Sequence, residues 1–257
     1  MGKLRYKYEG LNFGYDPMIK DRSRLFPQPT YPVIPKLVFE RRITPDERCP
    51  SYMLGPRAEF HATCDGRRVL VKFSEKYHPD AHYVVADMGL APKLHFHAQL
   101  RGGVHMAVMD AIDASDAHCE FGQGELPDEV VKQVKVALHA LHQKNLVHGN
   151  VRRTSILVRK GRGATSPGPE AVMDVDMPWQ VYLVEFDRVG EANDPGHRYT
   201  PFLNMAIPWP AGVRPGGLMQ VVHDDMMLEK IIRTGSCISP RPFLSRGIFM
   251  RSTDLDT

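Results

Sequence analysis

The chain has 257 residues, 42% hydrophobic and 25% charged, enough apolar material for the core of one folded unit of one or two lobes. With 33 basic against 30 acidic side chains, a net charge of +3, it lacks the single-sign field expected of a nucleic-acid-binding surface. Its apolar runs fall short of the roughly 20 residues that cross a bilayer, and residues 1–10 show neither a signal peptide's apolar stretch nor, with Tyr6 where Ser or Thr belongs, a myristoylation motif; an intracellular chain with no membrane anchor is expected.

Residues 1–50 are rich in Pro, Arg, Tyr and Phe without a sustained period and read as an irregular extension, its tract FPQPTYPVIP either extended polyproline-like backbone packed on the body or a linker. From residue 57 the pattern turns to strands. Residues 58–63, the turn signal Asp65-Gly66 and the β-branched run 68–73 predict a hairpin. Residues 80–89 predict a short helix stopped at Gly89. Residues 93–100 and 104–112 then predict two more strands joined at Gly102-Gly103. This region, 51–112, is expected to be mostly antiparallel sheet with one helix across it.

From 113 onward the chain is more helical. Pro127, Asp128 and Glu129 open a helix in which Val130, Val134, Ala137, Leu138 and Leu141 recur at helical spacing. It ends near Asn145 and is followed by a sharp loop at 146–150. Brief strands are expected at 155–159 and 180–186, separated by a flexible Gly- and Pro-rich insertion over 161–178. A last helix is expected over 224–232, with His223-Asp224 placed to cap it.

The cysteines Cys49, Cys64, Cys119 and Cys237 form no CxxC pair, so neither a cysteine zinc site nor a disulfide framework is expected. His95 and His97 share one face of a strand, and His139 and His142 one face of a helix. Spacing supplies neither pair with a third ligand, which favours polar or semi-buried histidines over a metal site. The basic pairs Arg41–Arg42, Arg67–Arg68 and Arg152–Arg153 and the run 160–162 read as solvated surface.

Four segments in order carry a resemblance: VLVKF at 69–73, LVHGNVRRTSILV at 146–158, YLVEFDRVGEA at 182–192 and HDDMMLEKI at 223–231. Together they resemble the protein-kinase-like superfamily over about residues 58–232. GLAPKL at 89–94, the acid-Phe-Asp triplet and IPWPAGV at 207–213 look most like its compact fungal-type domains. The resemblance implies an α+β, bilobal protein-kinase-like fold, with a small antiparallel-sheet N-lobe at 51–112 and a mainly helical, truncated C-lobe at 113–257. It places Lys72 on nucleotide phosphates, with Asp80 on the following helix as its partner acid and Asp110 at the adenine-facing hinge. Asn150 falls on the catalytic aspartate, Arg152 on the loop lysine and Ser155 on the metal-binding asparagine. Glu185 falls on the metal-binding aspartate of the DFG segment. Asp224 falls on the aspartate that ties the catalytic loop to the helical lobe, a structural role.

The departures bear on the chemistry. Phosphoryl transfer needs positioning, metal and an orienting carboxylate. Asn150 has an amide that accepts no proton near neutral pH, where general-base help is worth on the order of 10²–10⁴ in rate. Ser155 offers one neutral hydroxyl, and Glu185 adds a methylene in a site that demands near-octahedral geometry. The stretch 53–63, where a Gly-rich phosphate loop belongs, holds only Gly55. ATP and Mg²⁺ are the implied cofactors, and these departures count against their binding. The leading expectation is a pseudokinase, a binding or regulatory scaffold that works by binding protein partners rather than by turnover, with weak or no nucleotide binding. The alternatives are an active phosphotransferase, with Asp187 or water in place of the missing base, and a non-kinase α+β binding module. An enzyme predicts Lys72, Glu185 and Asp187 converging on one cleft; a scaffold predicts a collapsed or blocked cleft.

Overall fold

In the computed structural model the described residues are 34, 36–43, 58–161, 178–205 and 207–234. The expectations for residues 1–33 and for 162–177, together with Cys49, Gly55 and Cys237, lie outside them.

Alternation builds the upper lobe. Strands β1 (Leu37–Arg42), β2 (Ala58–Cys64), β3 (Arg67–Ser74), β4 (Leu94–Gln99) and β5 (His105–Asp110) form one antiparallel sheet in the order β1-β2-β3-β5-β4. The β2–β3 turn places Asp65 and Gly66 at φ of 50° and 75°, the left-handed pair that a two-residue hairpin demands. Phe60, Ala62, Val69, Val71, Met106 and Val108 point to the outer face and form its core, where Phe39, Phe60 and Phe73 pack with ring centroids 5.6–6.4 Å apart. The residues between them, Glu59, His61, Leu70 and Lys72, therefore face inward. Strand β1 corrects the expectation of irregular chain up to residue 50: 37–42 make the sheet edge. Its residues are half-buried or exposed, so no apolar alternation announces it.

Helix α1 (Pro79–Ala86) crosses beside the sheet. Pro79 opens it, the His78 ring accepts from the Ala81 N–H at 3.2 Å, and Gly89 at φ 72° ends it while Leu90 N–H bonds Val85 O. Ala81, His82 and Val85 are its buried face.

The lower lobe is organised on α3 (Asp128–His142), which follows the short α2 (Ala117–Phe121). Val130, Val134, Ala137, Leu138 and Leu141 are all buried in the main core, as their spacing predicts. Gln133 is buried with them, donating to Trp179 O at 2.7 Å and accepting from Val181 N–H at 3.1 Å, which ties α3 to the adjoining sheet. That sheet has the order β6-β8-β9, from β6 (Ser115–Asp116), β8 (Ile156–Lys160) and β9 (Trp179–Leu183). A second small ladder pairs β7 (Leu146–Val147) with β10 (Gly190–Glu191). Helix α4 (Val221–Thr234) completes the lobe. It begins three residues earlier than expected, so Asp224 lies inside its first turn and does not cap it. The architecture is the bilobal α+β one expected: an antiparallel-sheet lobe over a lobe built on two long helices.

Candidate functional site

A cleft of about 370 Å³ lies between the inner face of the upper sheet and the β8–β9 region. Lys72, Glu59 and His61 enter it from the sheet, Asp110 from the end of β5, Asp116 from β6, Thr154 from the lower loop, and Glu185 with Phe186 from the segment after β9. The cleft is open, not collapsed.

Asp224 builds the lower wall. It is fully buried, and its carboxylate accepts from His148 N–H at 2.7 Å and Gly149 N–H at 2.8 Å, with the His142 ring at 3.1 Å. The His148 ring donates from Nε2 to Val184 O at 2.9 Å, joining this loop to the acid-Phe-Asp segment. Gly149 turns the chain at φ 71°, and a Cβ there would collide with the Met219 methyl and crowd Arg188 O. Gly149→Ala is expected to cost about 1–3 kcal/mol from the left-handed backbone and overpacking together, measured by urea unfolding.

The loop then turns on itself. Ser155 Oγ accepts from Arg152 N–H at 3.0 Å and donates to Asn150 O at 2.8 Å. Asn150 is fully buried and its Nδ2 donates to Glu185 Oε2, which leaves Asn150 Oδ1 a buried acceptor with no hydrogen-bond partner. Arg152 Nη2 stands 3.7 Å from the same Glu185 oxygen. Glu185 is 8% exposed and sits at φ 74°, a strained conformation for a side-chain-bearing residue. The expectation of solvated arginines at 152–153 is corrected. Arg152 is half-buried beside Glu185, and Arg153 is 2% exposed, its guanidinium donating to the carbonyls of Gly122, Gly124 and Ile231.

Lys72 pairs with Asp187, Nζ to Oδ1 at 2.6 Å. This corrects the expected Lys72–Asp80 pair. Asp80 is exposed in the first turn of α1, and the residue that α1 turns inward is His82. The His82 ring stacks on Phe186 with centroids 4.4 Å apart and planes 8° apart; it also meets the Tyr77 hydroxyl at Nδ1 (2.5 Å) and Pro92 O at Nε2 (2.6 Å). His78 N–H donates to Phe186 O, so α1 is fastened to that segment at two points.

The structure thus groups Asn150, Arg152, Ser155 and Glu185 and pairs Lys72 with Asp187; Lys72 and Glu185 line the same cleft, as the enzyme alternative expects, and that cleft is not collapsed as the scaffold expectation had it. Asp110 lines the cleft, bonded to His95 at 2.6 Å, and Asp80 stands apart. Glu59 was missed in the sequence. It lies directly across from Lys72 in the β2–β3 register, 3% exposed, and its signal was an acid between apolar residues on the strand expected at 58–63. A second omission lies outside the cleft, where Glu191, Asp194 and His197 bring their donor atoms within 4.8 Å of one another.

No protein-family model and no curated protein matches the chain. Among solved structures it is similar to the Cydia pomonella granulovirus kinase PK-1, at 14% identity and a TM-score of 0.43, over 62% of this chain and 53% of that one. The chain spans about half the length of that kinase. It is also similar to a mutant of the Mycobacterium tuberculosis PknI kinase domain, at 14% identity and a TM-score of 0.43, over 76% of this chain and 72% of that one.

Proposed function

We propose that the chain is a degenerate protein-kinase-like domain, a pseudokinase that works by binding a protein partner rather than by turnover. The observation that carries this reading is the state of Glu185. Its carboxylate accepts from the Asn150 amide and faces the Arg152 guanidinium at 3.7 Å. A positive charge and an N–H donor stand where a metal ion and its ligands would have to be, and the Ser155 hydroxyl is committed to backbone. These residues do not fit Mg²⁺.

The phosphate side supports the same reading. Lys72 is already paired with Asp187. Glu59, Asp110, Asp116 and Glu185 line the cleft with it, Asp110 bonded to His95 and Glu185 facing Arg152, so the lining is more acidic than basic and disfavours a polyanion. Phe202 and Met205, 91% and 65% exposed, offer apolar surface to a partner. The open cleft favours a second reading, in which a nucleotide binds weakly without metal.

Thermal melting with ATP, alone and with Mg²⁺ or Mn²⁺, tests both. No metal-dependent shift is expected. A small metal-independent rise would support the second reading. A metal-dependent rise that disappears in Lys72→Ala would overturn the first in favour of an active phosphotransferase.

A further inference from the structure

We infer that Glu191, Asp194 and His197 form a binding site for one divalent transition-metal ion of the zinc class, on the lower lobe and outside the cleft. Two carboxylates and one imidazole, spaced three residues apart in the chain, place one donor atom each within 4.8 Å of the other two. Bonds of about 2.0–2.1 Å around a tetrahedral ion set its donor atoms about 3.4 Å apart, so side-chain rotation alone closes the site. Glu191 is exposed and has the reach for that movement.

The backbone beneath the ligands is held in place. Glu191 pairs with Leu146 in the β7–β10 ladder, Ala192 N–H bonds Asn145 O at 2.8 Å, and Asn193 N–H bonds Met219 O at 2.8 Å. Asp194 accepts from Gly196 N–H at 2.9 Å, and its other oxygen meets His197 Nδ1 at 2.7 Å. Rigid support of this kind lets binding proceed without ordering a loop.

The donor set selects the metal. An imidazole with carboxylates suits zinc and its neighbours, whereas all-oxygen shells suit magnesium and calcium. Two carboxylates neutralise a dication, and water completes the coordination. The ion would cross-link β10 to the turn that follows it, stiffening the chain just beyond Glu185-Phe186-Asp187. This inference does not rest on the pseudokinase reading.

The test is calorimetric titration of the EDTA-treated full chain with Zn²⁺, together with the visible spectrum of the Co²⁺-substituted protein. One ion per chain and a tetrahedral Co²⁺ spectrum are expected. Asp194→Asn and His197→Ala should each weaken binding at least about tenfold and abolish the spectrum, and Glu191→Gln, at an exposed position, serves if either fails to fold. His105→Ala, which removes one member of the His97–His105 pair on the upper sheet, should leave binding unchanged. Absence of saturable binding, undiminished binding in the site variants, or loss in His105→Ala would each overturn the assignment.

Discussion

Asp224→Ala is expected to destabilise the protein by about 3–5 kcal/mol, the loss typical of removing one member of a buried, fully engaged charged network. The side chain has no solvent exposure and receives two backbone N–H groups and the His142 ring. Alanine strands both N–H donors in the core, and each buried unmet donor costs about 1–3 kcal/mol. Against a total of about 5–15 kcal/mol for a typical domain, that is a large fraction. Asp224→Asn keeps one acceptor but turns an NH₂ toward a backbone N–H, so it should recover only part of the loss. Urea unfolding checks this: the midpoint should fall with little change in slope. A loss below about 1 kcal/mol would show that His148 and Gly149 find other partners, against the structural role given to Asp224.

What the sequence made legible follows from periodicity and local chemistry. The β2–β3 hairpin was readable because Phe60, Ala62, Val69 and Val71 alternate around a turn that needs left-handed residues. The face of α3 was readable because five apolar residues recur at helical spacing. Strand β1 was not, since an edge strand with exposed arginines buries too little to leave an apolar signature. The partner of Lys72 was not either. Asp80 is eight residues away along the chain, but helical geometry turns it outward, and lobe packing supplies Asp187 from 115 residues away. The resemblance located Asn150, Arg152, Ser155 and Glu185 as a group. Only side-chain geometry shows them satisfying one another. The Glu191–Asp194–His197 spacing was visible in the sequence, but β10 and the turn that bring their donors together are set by pairing with β7.

Lowering the pH from 7 to 4.5 is expected to remove about 2–3 kcal/mol of stability through His82 alone, and His82→Gln should lose that much less over the same range. Burial pushes the His82 imidazole down from 6.5 to about 4; the nearby Lys72 charge adds to this, and the Pro92 carbonyl opposes it. The unfolded chain therefore binds a proton between pH 6.5 and 4 that the folded chain refuses, so stability is complete above that window and falls through it. The Tyr77 hydroxyl and Pro92 O occupy both ring nitrogens of the neutral form. Burial also lowers His97 and His223, which add losses of the same sign, so the difference between parent and variant isolates His82. The consequence reaches the site, because the ring that takes up the proton is stacked on Phe186, between Glu185 and Asp187. Protonation should loosen α1 from that segment as the pH nears 4, and cleavage around Phe186 by pepsin, which is active at that pH, should then rise more in the parent than in His82→Gln. Equal acid sensitivity in the parent and in His82→Gln would place the titrating group elsewhere and remove His82 as the link between α1 and the cleft.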